Sequence, residues 1–146
     1  SWWKNGMKNF VNSPESKEIQ TKAWMSTKAK GAVSFARDYG WVTERQLAIA
    51  AGVGNSIGFG KEGGTRGLRP LAELVGADAE KILEAYVAGL HQRSWYRDEN
   101  GKYTGVYRPH TNASKERTRG NMRKHWGRRA ALINKYFPCR DGSTSA

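Results

Sequence analysis

The sequence predicts a compact all-α domain, a bundle of about five helices around one buried central helix. Three observations predict it. Successive segments carry helix start and stop signals and place apolar residues at helical spacing. One of them, from Glu44 to about Ile57, contains Leu47-Ala-Ile-Ala-Ala-Gly-Val-Gly54 and is apolar on nearly every side, as a helix enclosed by others is. The 146 residues are enough for one domain with one hydrophobic core.

Ser13 caps the first helix and Pro14 suits its first position, where a backbone N–H has no partner anyway. Glu15 and Glu18 favour the positive end of the helix dipole. This helix is expected to run to about Tyr39 and stop at Gly40, with Ala32, Val33 and Ala36 in its apolar stripe and a kink at Gly31. Thr43, with Gln46 three residues on, forms a capping box for the central helix. Gly52 and Gly54 lower its intrinsic propensity, which implies close packing or close approach of a ligand. Gly58 to Gly64 is a glycine-rich loop without the Lys-Ser/Thr ending of a phosphate loop and without a preceding strand. A short helix follows from Thr65 to Val75, ended by Gly76. Asp78 caps a longer one to about Tyr96, with Ile82, Leu83, Tyr86, Val87 and Leu90 inward. Asp98 to Gly101 is a turn signal, with a small hairpin expected through Tyr103 to Tyr107. Thr111 to Ser114 opens the last helix, which Pro138 terminates after Phe137. Its apolar line is Met122, Trp126, Ala130, Ile133 and Phe137. The expected core is Trp24, Leu47, Ile49, Val53, Leu83, Tyr86, Leu90, Trp126 and Ile133. The chain thus divides into a lead-in (1–12), expected to be cut from a larger protein because it opens on Ser1, a helical domain (13–138) and a frayed tail (139–146).

Lys and Arg number 25 and Asp and Glu 13, a net charge of +12. That balance attracts an anionic partner: nucleic acid, anionic lipid or an acidic cell-wall polymer. No apolar run approaches the ~18 residues of a membrane helix, so no membrane insertion is expected. Six Trp, six Tyr and four Phe argue against disorder. Cys139 is the single cysteine, which leaves no intrachain disulfide and no cysteine-based zinc site. His91, His110 and His125 lack metal-ligand spacing, and neither metal nor cofactor is expected. No signal peptide is visible.

Two groups of residues suggest binding. Arg117, Arg119, Arg123, Lys124, Arg128, Arg129 and Lys135 give the last helix basic faces, suited to phosphates or simply to water. Trp95-Tyr96-Arg97 joins aromatics to a guanidinium, an arrangement for a sugar ring or a stacked base, or for the core. No pair of carboxylates stands out, although glycoside hydrolysis normally uses two across a cleft. Those expected nearest a cleft are Glu44, Glu62 and Glu73, which are weak catalytic candidates.

Several features occur in a telling order. Gln20 and Trp24 precede Gly31-Ala-Val-Ser-Phe-Ala36, then Thr43-Glu-Arg-Gln-Leu-Ala48 opens the central helix. Asn55-Ser-Ile-Gly-Phe-Gly60 ends it, followed by Gly67-Leu68-Arg69, the segment Arg93 to Arg97, and Arg117 with Arg123. In this order, residues 13–138 resemble the helical lobe of family-46 chitosanases, of the lysozyme-like superfamily. Arg128-Arg129-Ala-Ala-Leu-Ile133 is similar to the closing helix of phage-type lysozymes. The resemblance implies a substrate cleft at Asn55, Ser56, Gly58, Gly60, Arg93, Trp95, Tyr96 and Arg97. It implies a charge network through Arg93 and Arg117 behind a catalytic acid. In that family the acid and its Asp partner precede this lobe, so the catalytic residues are unknown here. Chitosan is a polycation that a +12 chain repels, whereas peptidoglycan carries peptide carboxylates. The expectation is therefore a muramidase-like glycoside hydrolase domain acting on peptidoglycan or another anionic wall glycan outside the cytoplasm, as in an antibacterial toxin or a phage lysin. The alternatives are a basic nucleic-acid-binding helical module and a non-catalytic cell-wall-binding domain.

Overall fold

The computed structural model describes residues 29–139. The N-terminal part of the first expected helix, with Gln20 and Trp24, lies outside the described residues, as do the lead-in and the tail beyond Cys139. Within them the chain forms five α-helices and no strand, an all-α bundle. These are α1 (Ala29–Asp38), α2 (Glu44–Ile57), α3 (Leu68–Val75), α4 (Ala79–Ala88) and α5 (Ala113–Tyr136), with a 3-10 turn at Arg93–Tyr96 between α4 and α5. Helix α2 is the centre and touches all four others. Every residue from Leu47 to Gly54 is buried, which only an enclosed helix permits.

Local chemistry sets most of the boundaries. Gly40 takes a left-handed φ of 68°, and the Trp41 N–H returns to the Ala36 carbonyl at 2.8 Å, which closes α1. The Trp41 indole then packs edge-on against Phe35. Thr43 and Gln46 form the capping box reciprocally: the Gln46 N–H donates to Thr43 Oγ1 (3.1 Å) and the Thr43 N–H to Gln46 Oε1 (3.0 Å). Asp78 accepts from the Glu80 and Lys81 N–H groups at the start of α4, and Asn112 from Lys115 N–H at the start of α5.

The glycines of α2 are explained by what lies against them. A Cβ on Gly52 would stand 2.7 Å from Ile133 of α5. The Phe59 ring fills the space a Cβ on Gly54 would need, and also lies 2.6 Å from the Cβ position of Gly31 on α1. Gly31 is thus a seat for an aromatic wedge between α1 and α2.

Three expectations are corrected. Helix α3 starts at Leu68 rather than Thr65, because Leu68 and Arg69 donate their N–H groups to the carbonyls of Gly58 and Phe59. This folds the glycine-rich loop back on itself. Helix α4 ends at Ala88 rather than Tyr96. Gly89 adopts a left-handed conformation there, and a Cβ on it would meet Trp95 at 2.9 Å and Trp126 at 3.0 Å. The hairpin through Tyr103 to Tyr107 is replaced by one isolated bridge between Arg97 and Tyr103, and Thr104 and Arg108 donate to the carbonyls of Tyr96 and Trp95. The turn at Asp98 to Gly101 is present, with Asp98 accepting from the Asn100 and Lys102 N–H groups.

Of the expected core, Leu47, Ile49, Val53, Leu83, Tyr86, Trp126 and Ile133 are buried, and Leu90 is partly buried. Gly67 offers a sharp test of the loop. Its φ of 98° with ψ of −172° is glycine territory, and a Cβ would meet the Gly60 nitrogen at 2.7 Å. Gly67→Ala is expected to cost about 1–3 kcal/mol in urea unfolding, because the obstacle is backbone that cannot rotate away. A change below about 0.5 kcal/mol, the range of an ordinary surface substitution, would contradict this loop geometry.

Candidate functional site

A cleft of about 660 Å³ opens beside the C-terminal end of α2. Helix α2 supplies Ser56 and Ile57, and the returning loop supplies Thr65, Arg66 and Gly67. The segment after Gly89 supplies His91, Gln92, Arg93, Ser94 and Arg97. Helix α5 closes the wall with Met122 and Trp126. The cleft exists because two glycine-governed reversals, at Gly58 to Gly67 and at Gly89, bring short segments to one end of the buried helix.

The cleft's charge is one-sided. Arg66, Arg93 and Arg97 line it, no carboxylate does, and none of the three forms an ion pair among the described residues. Arg97 Nη1 donates to the Gly101 carbonyl at 3.2 Å, which ties its side chain to the adjacent turn. The buried Tyr86 hydroxyl donates to Ser56 Oγ at 2.7 Å. Ser56 thus has its own proton left to donate. Burial pushes the Tyr86 phenol above its ordinary value, so it stays a donor. Below it, Arg129 is buried and donates to the Gly52 carbonyl at 3.4 Å.

His91 forms part of the wall. Its ring stacks on Tyr86 (5.6 Å between centroids) and meets Trp126 edge-on (4.4 Å). Both ring nitrogens are buried with no hydrogen-bond partner among the described residues. Burial lowers its pKa to about 4, so the ring is neutral at pH 7.

Of the residues expected to bind substrate, Ser56, Arg93 and Arg97 come together in this cleft. Asn55, Gly58 and Gly60 lie next to it in sequence but do not line it. Trp95 and Tyr96 are corrected: both are buried, and neither presents an open ring for stacking. Trp95 packs on Trp126 and Tyr107 and is covered by Arg119, while the Tyr96 hydroxyl donates to the Ala88 carbonyl at 2.6 Å.

The carboxylate candidates do not reach the cleft. Glu44 sits in the first turn of α2, at the opposite end from Ser56. Glu62 is exposed in the loop, and Glu73 is exposed on α3, accepting from the Gly63 N–H at 3.0 Å. Of the two arginines of the expected charge network, Arg93 lines the cleft. Arg117 is exposed on α5, while the neighbouring Glu116 is the residue engaged. Glu116 accepts from the His110 N–H and the Tyr107 hydroxyl and pairs with Arg123 at 3.4 Å. The His110 and Tyr107 hydrogen bonds, helped by the arginine charges, hold its carboxyl below the usual range.

Arg66, His91 and Trp126 are wall residues that the sequence pattern does not assign to the cleft. Arg66 carries a signal, a cation inside a glycine-rich loop. Trp126 carries none, because its spacing with Ala130 and Ile133 is that of any core residue.

Among the described residues no three His, Cys, Asp or Glu side chains cluster to hold a metal ion, and no helix is long and apolar enough to cross a membrane. Compared with protein-family models, with curated proteins and with solved structures, the chain matches none.

Proposed function

We propose that this chain is the helical lobe of a lysozyme-like, muramidase-type glycoside hydrolase that acts on bacterial peptidoglycan outside the cytoplasm. The observation that carries the reading is the cleft at the glycine-bearing end of α2, lined by Ser56, Arg66, Arg93 and Arg97 and, among the described residues, by no carboxylate. Its volume is in the range of sites that enclose several ligand groups. Guanidinium forks match carboxylates and repel a polyamine, so the cleft favours a glycan bearing peptide or lactyl carboxylates over chitosan. Ser56, held by Tyr86, adds a neutral donor for a sugar hydroxyl or an amide carbonyl. Hydrolysis of a glycosidic bond uses a carboxylic acid at the cleft. In this reading residues 29–139 bind and orient the glycan, and the acid comes from elsewhere in the protein.

The test is co-sedimentation with purified peptidoglycan sacculi. Residues 1–146 are expected to pellet with sacculi and not with chitosan. Arg66→Gln with Arg93→Gln is expected to weaken sacculus binding by about tenfold or more, since a hydrogen bond to a charged group contributes about 1.5–3 kcal/mol. Binding by the double variant equal to the parent's would remove the cleft from the reading. Salt-sensitive binding to random duplex DNA tighter than to sacculi would favour a nucleic-acid module instead.

A further inference from the structure

Helix α5 carries eight Lys and Arg against one carboxylate, Glu116. The structure sorts six of those cations into two groups, and Lys115 and Lys135 are also exposed. Arg119, Arg123 and Arg129 turn inward: Arg119 lies 4.9 Å from the Trp95 ring, Arg123 lies 4.4 Å from the Tyr107 ring, and Arg129 is buried. Arg117, Lys124 and Arg128 turn outward and are exposed, with no ion pair among the described residues.

The outward residues fall on one line. Arg117, Asn121, Lys124, Arg128, Ala131 and Lys135 are spaced 4, 3, 4, 3 and 4 apart, the spacing of a single helix face, and all six are exposed. At 1.5 Å per residue the line is about 27 Å long, and its three cations from Arg117 to Arg128 stand about 6–10 Å apart. Glu116 lies off this line, bound to Tyr107 and His110.

We infer that this stripe is a second binding surface, separate from the cleft, for a linear polymer of phosphodiester-linked polyol or sugar units, such as a poly(glycerol phosphate) wall polymer. Two features select that partner. The cations are in single file, matching one chain of phosphates rather than the two strands that flank a duplex groove. Single-stranded nucleic acid is held by aromatic platforms between its phosphate contacts, and none of the six residues of the stripe is aromatic. The stripe lies on α5 alone and does not depend on what the cleft takes.

The experiment uses residues 1–146 and lipid-free poly(glycerol phosphate), with affinity measured as a function of salt. The triple variant Arg117→Gln, Lys124→Gln, Arg128→Gln keeps helix propensity, so far-UV circular dichroism and Tm are expected to hold. Its affinity is expected to fall by about 30-fold or more at low salt. Its log–log salt slope is expected to flatten by about 2, near 0.7 for each phosphate no longer neutralised. A control triple, Lys30→Gln, Lys61→Gln, Lys102→Gln, removes the same charge from exposed sites off the stripe. It is expected to lose less than about threefold, the share of a diffuse field. Asn121→Lys adds a charge within the stripe and is expected to tighten binding about two- to threefold, a gain that misfolding cannot imitate. The stripe triple is expected to bind polymer-stripped sacculi as the parent does, which separates this surface from the cleft. Equal losses in the two triples, no gain from Asn121→Lys, or tighter binding of oligo-dT or duplex DNA than of poly(glycerol phosphate) would each overturn the inference.

Discussion

Arg45→Ala is expected to destabilise the domain by about 3 kcal/mol, at the lower end of what breaking a buried ion pair costs. The Arg45 side chain is 6% exposed, and its guanidinium joins three elements. Nε and Nη2 donate to the two Glu80 oxygens at 2.9 and 2.8 Å, a fork that fixes α2 to the first turn of α4. Nη1 donates to the Phe137 carbonyl at 2.9 Å and Nη2 to Asn134 Oδ1 at 2.8 Å, which holds the end of α5. The hydrogen bonds to Glu80 dominate and raise the Arg45 pKa, so the charge is kept despite its burial. Removing the side chain leaves a buried cavity and a Phe137 carbonyl without the guanidinium as its donor. Glu80 is 37% exposed and recovers water, which puts the cost near the lower bound. The expected Tm drop is about 6–12 °C for a domain of this size. Arg45→Lys keeps the charge but not the fork and is expected to lose about half as much. A urea midpoint shift equivalent to less than about 1 kcal/mol, with the m-value unchanged, would reduce the cluster to a surface pair.

Arg45 also marks where the sequence stops being readable. It sits inside the capping box between Thr43 and Gln46, where a cation reads as one more polar residue of a first turn. Its partners Glu80, Asn134 and Phe137 are 35, 89 and 92 residues away, and no local pattern links them. What was legible was chemistry settled within a few residues: the caps at Thr43 and Asp78, the opening of the last helix within Thr111 to Ser114, the stop at Gly40 and the turn at Asp98. The burial of α2 was legible because a run with no polar face has no other place to go. The end of α4 was not, because Gly89 becomes a stop only where Trp95 and Trp126 close over it. Trp95 and Tyr96 mislead for a related reason. An aromatic beside an arginine has the same sequence signature in a binding platform as in a core capped by cation–π contacts, and here Arg119 and Arg123 cover Trp95 from outside. The cleft was half legible. Ser56 ends a glycine-bearing helix and Arg93 and Arg97 flank the aromatics, but the reversal that brings Arg66 to them is tertiary.

The pH dependence of stability is expected to have a component that belongs to His91. Its ring lies between Tyr86 and Trp126, and neither nitrogen has a hydrogen-bond partner among the described residues. Burial lowers the folded pKa to about 4, against an ordinary value of 6.5. The unfolded chain therefore binds the proton more readily throughout that interval. Stability from the neutral ring is complete above pH about 6.5 and is lost as pH falls toward 4. The shift corresponds to about 3 kcal/mol at full protonation, at 1.36 kcal/mol per unit. His91→Phe keeps a planar ring in the stack and removes the titration. At pH 7 the variant is expected to be equal to the parent or more stable by about 1 kcal/mol, since two buried nitrogens without partners are gone. Between pH 6.5 and 4 the parent is expected to lose stability relative to the variant, with a difference near 3 kcal/mol at the acid end. Glu116 acts in the same direction, because its folded pKa is also depressed and its contribution disappears as pH falls below the ordinary carboxylate range. That contribution is common to both proteins, so the difference between their unfolding curves isolates the imidazole. Parallel curves from pH 7 to 4 would mean that the folded ring binds its proton as easily as the unfolded chain does. Water entering from the cleft would then reach His91, and the wall between Tyr86 and Trp126 would be open.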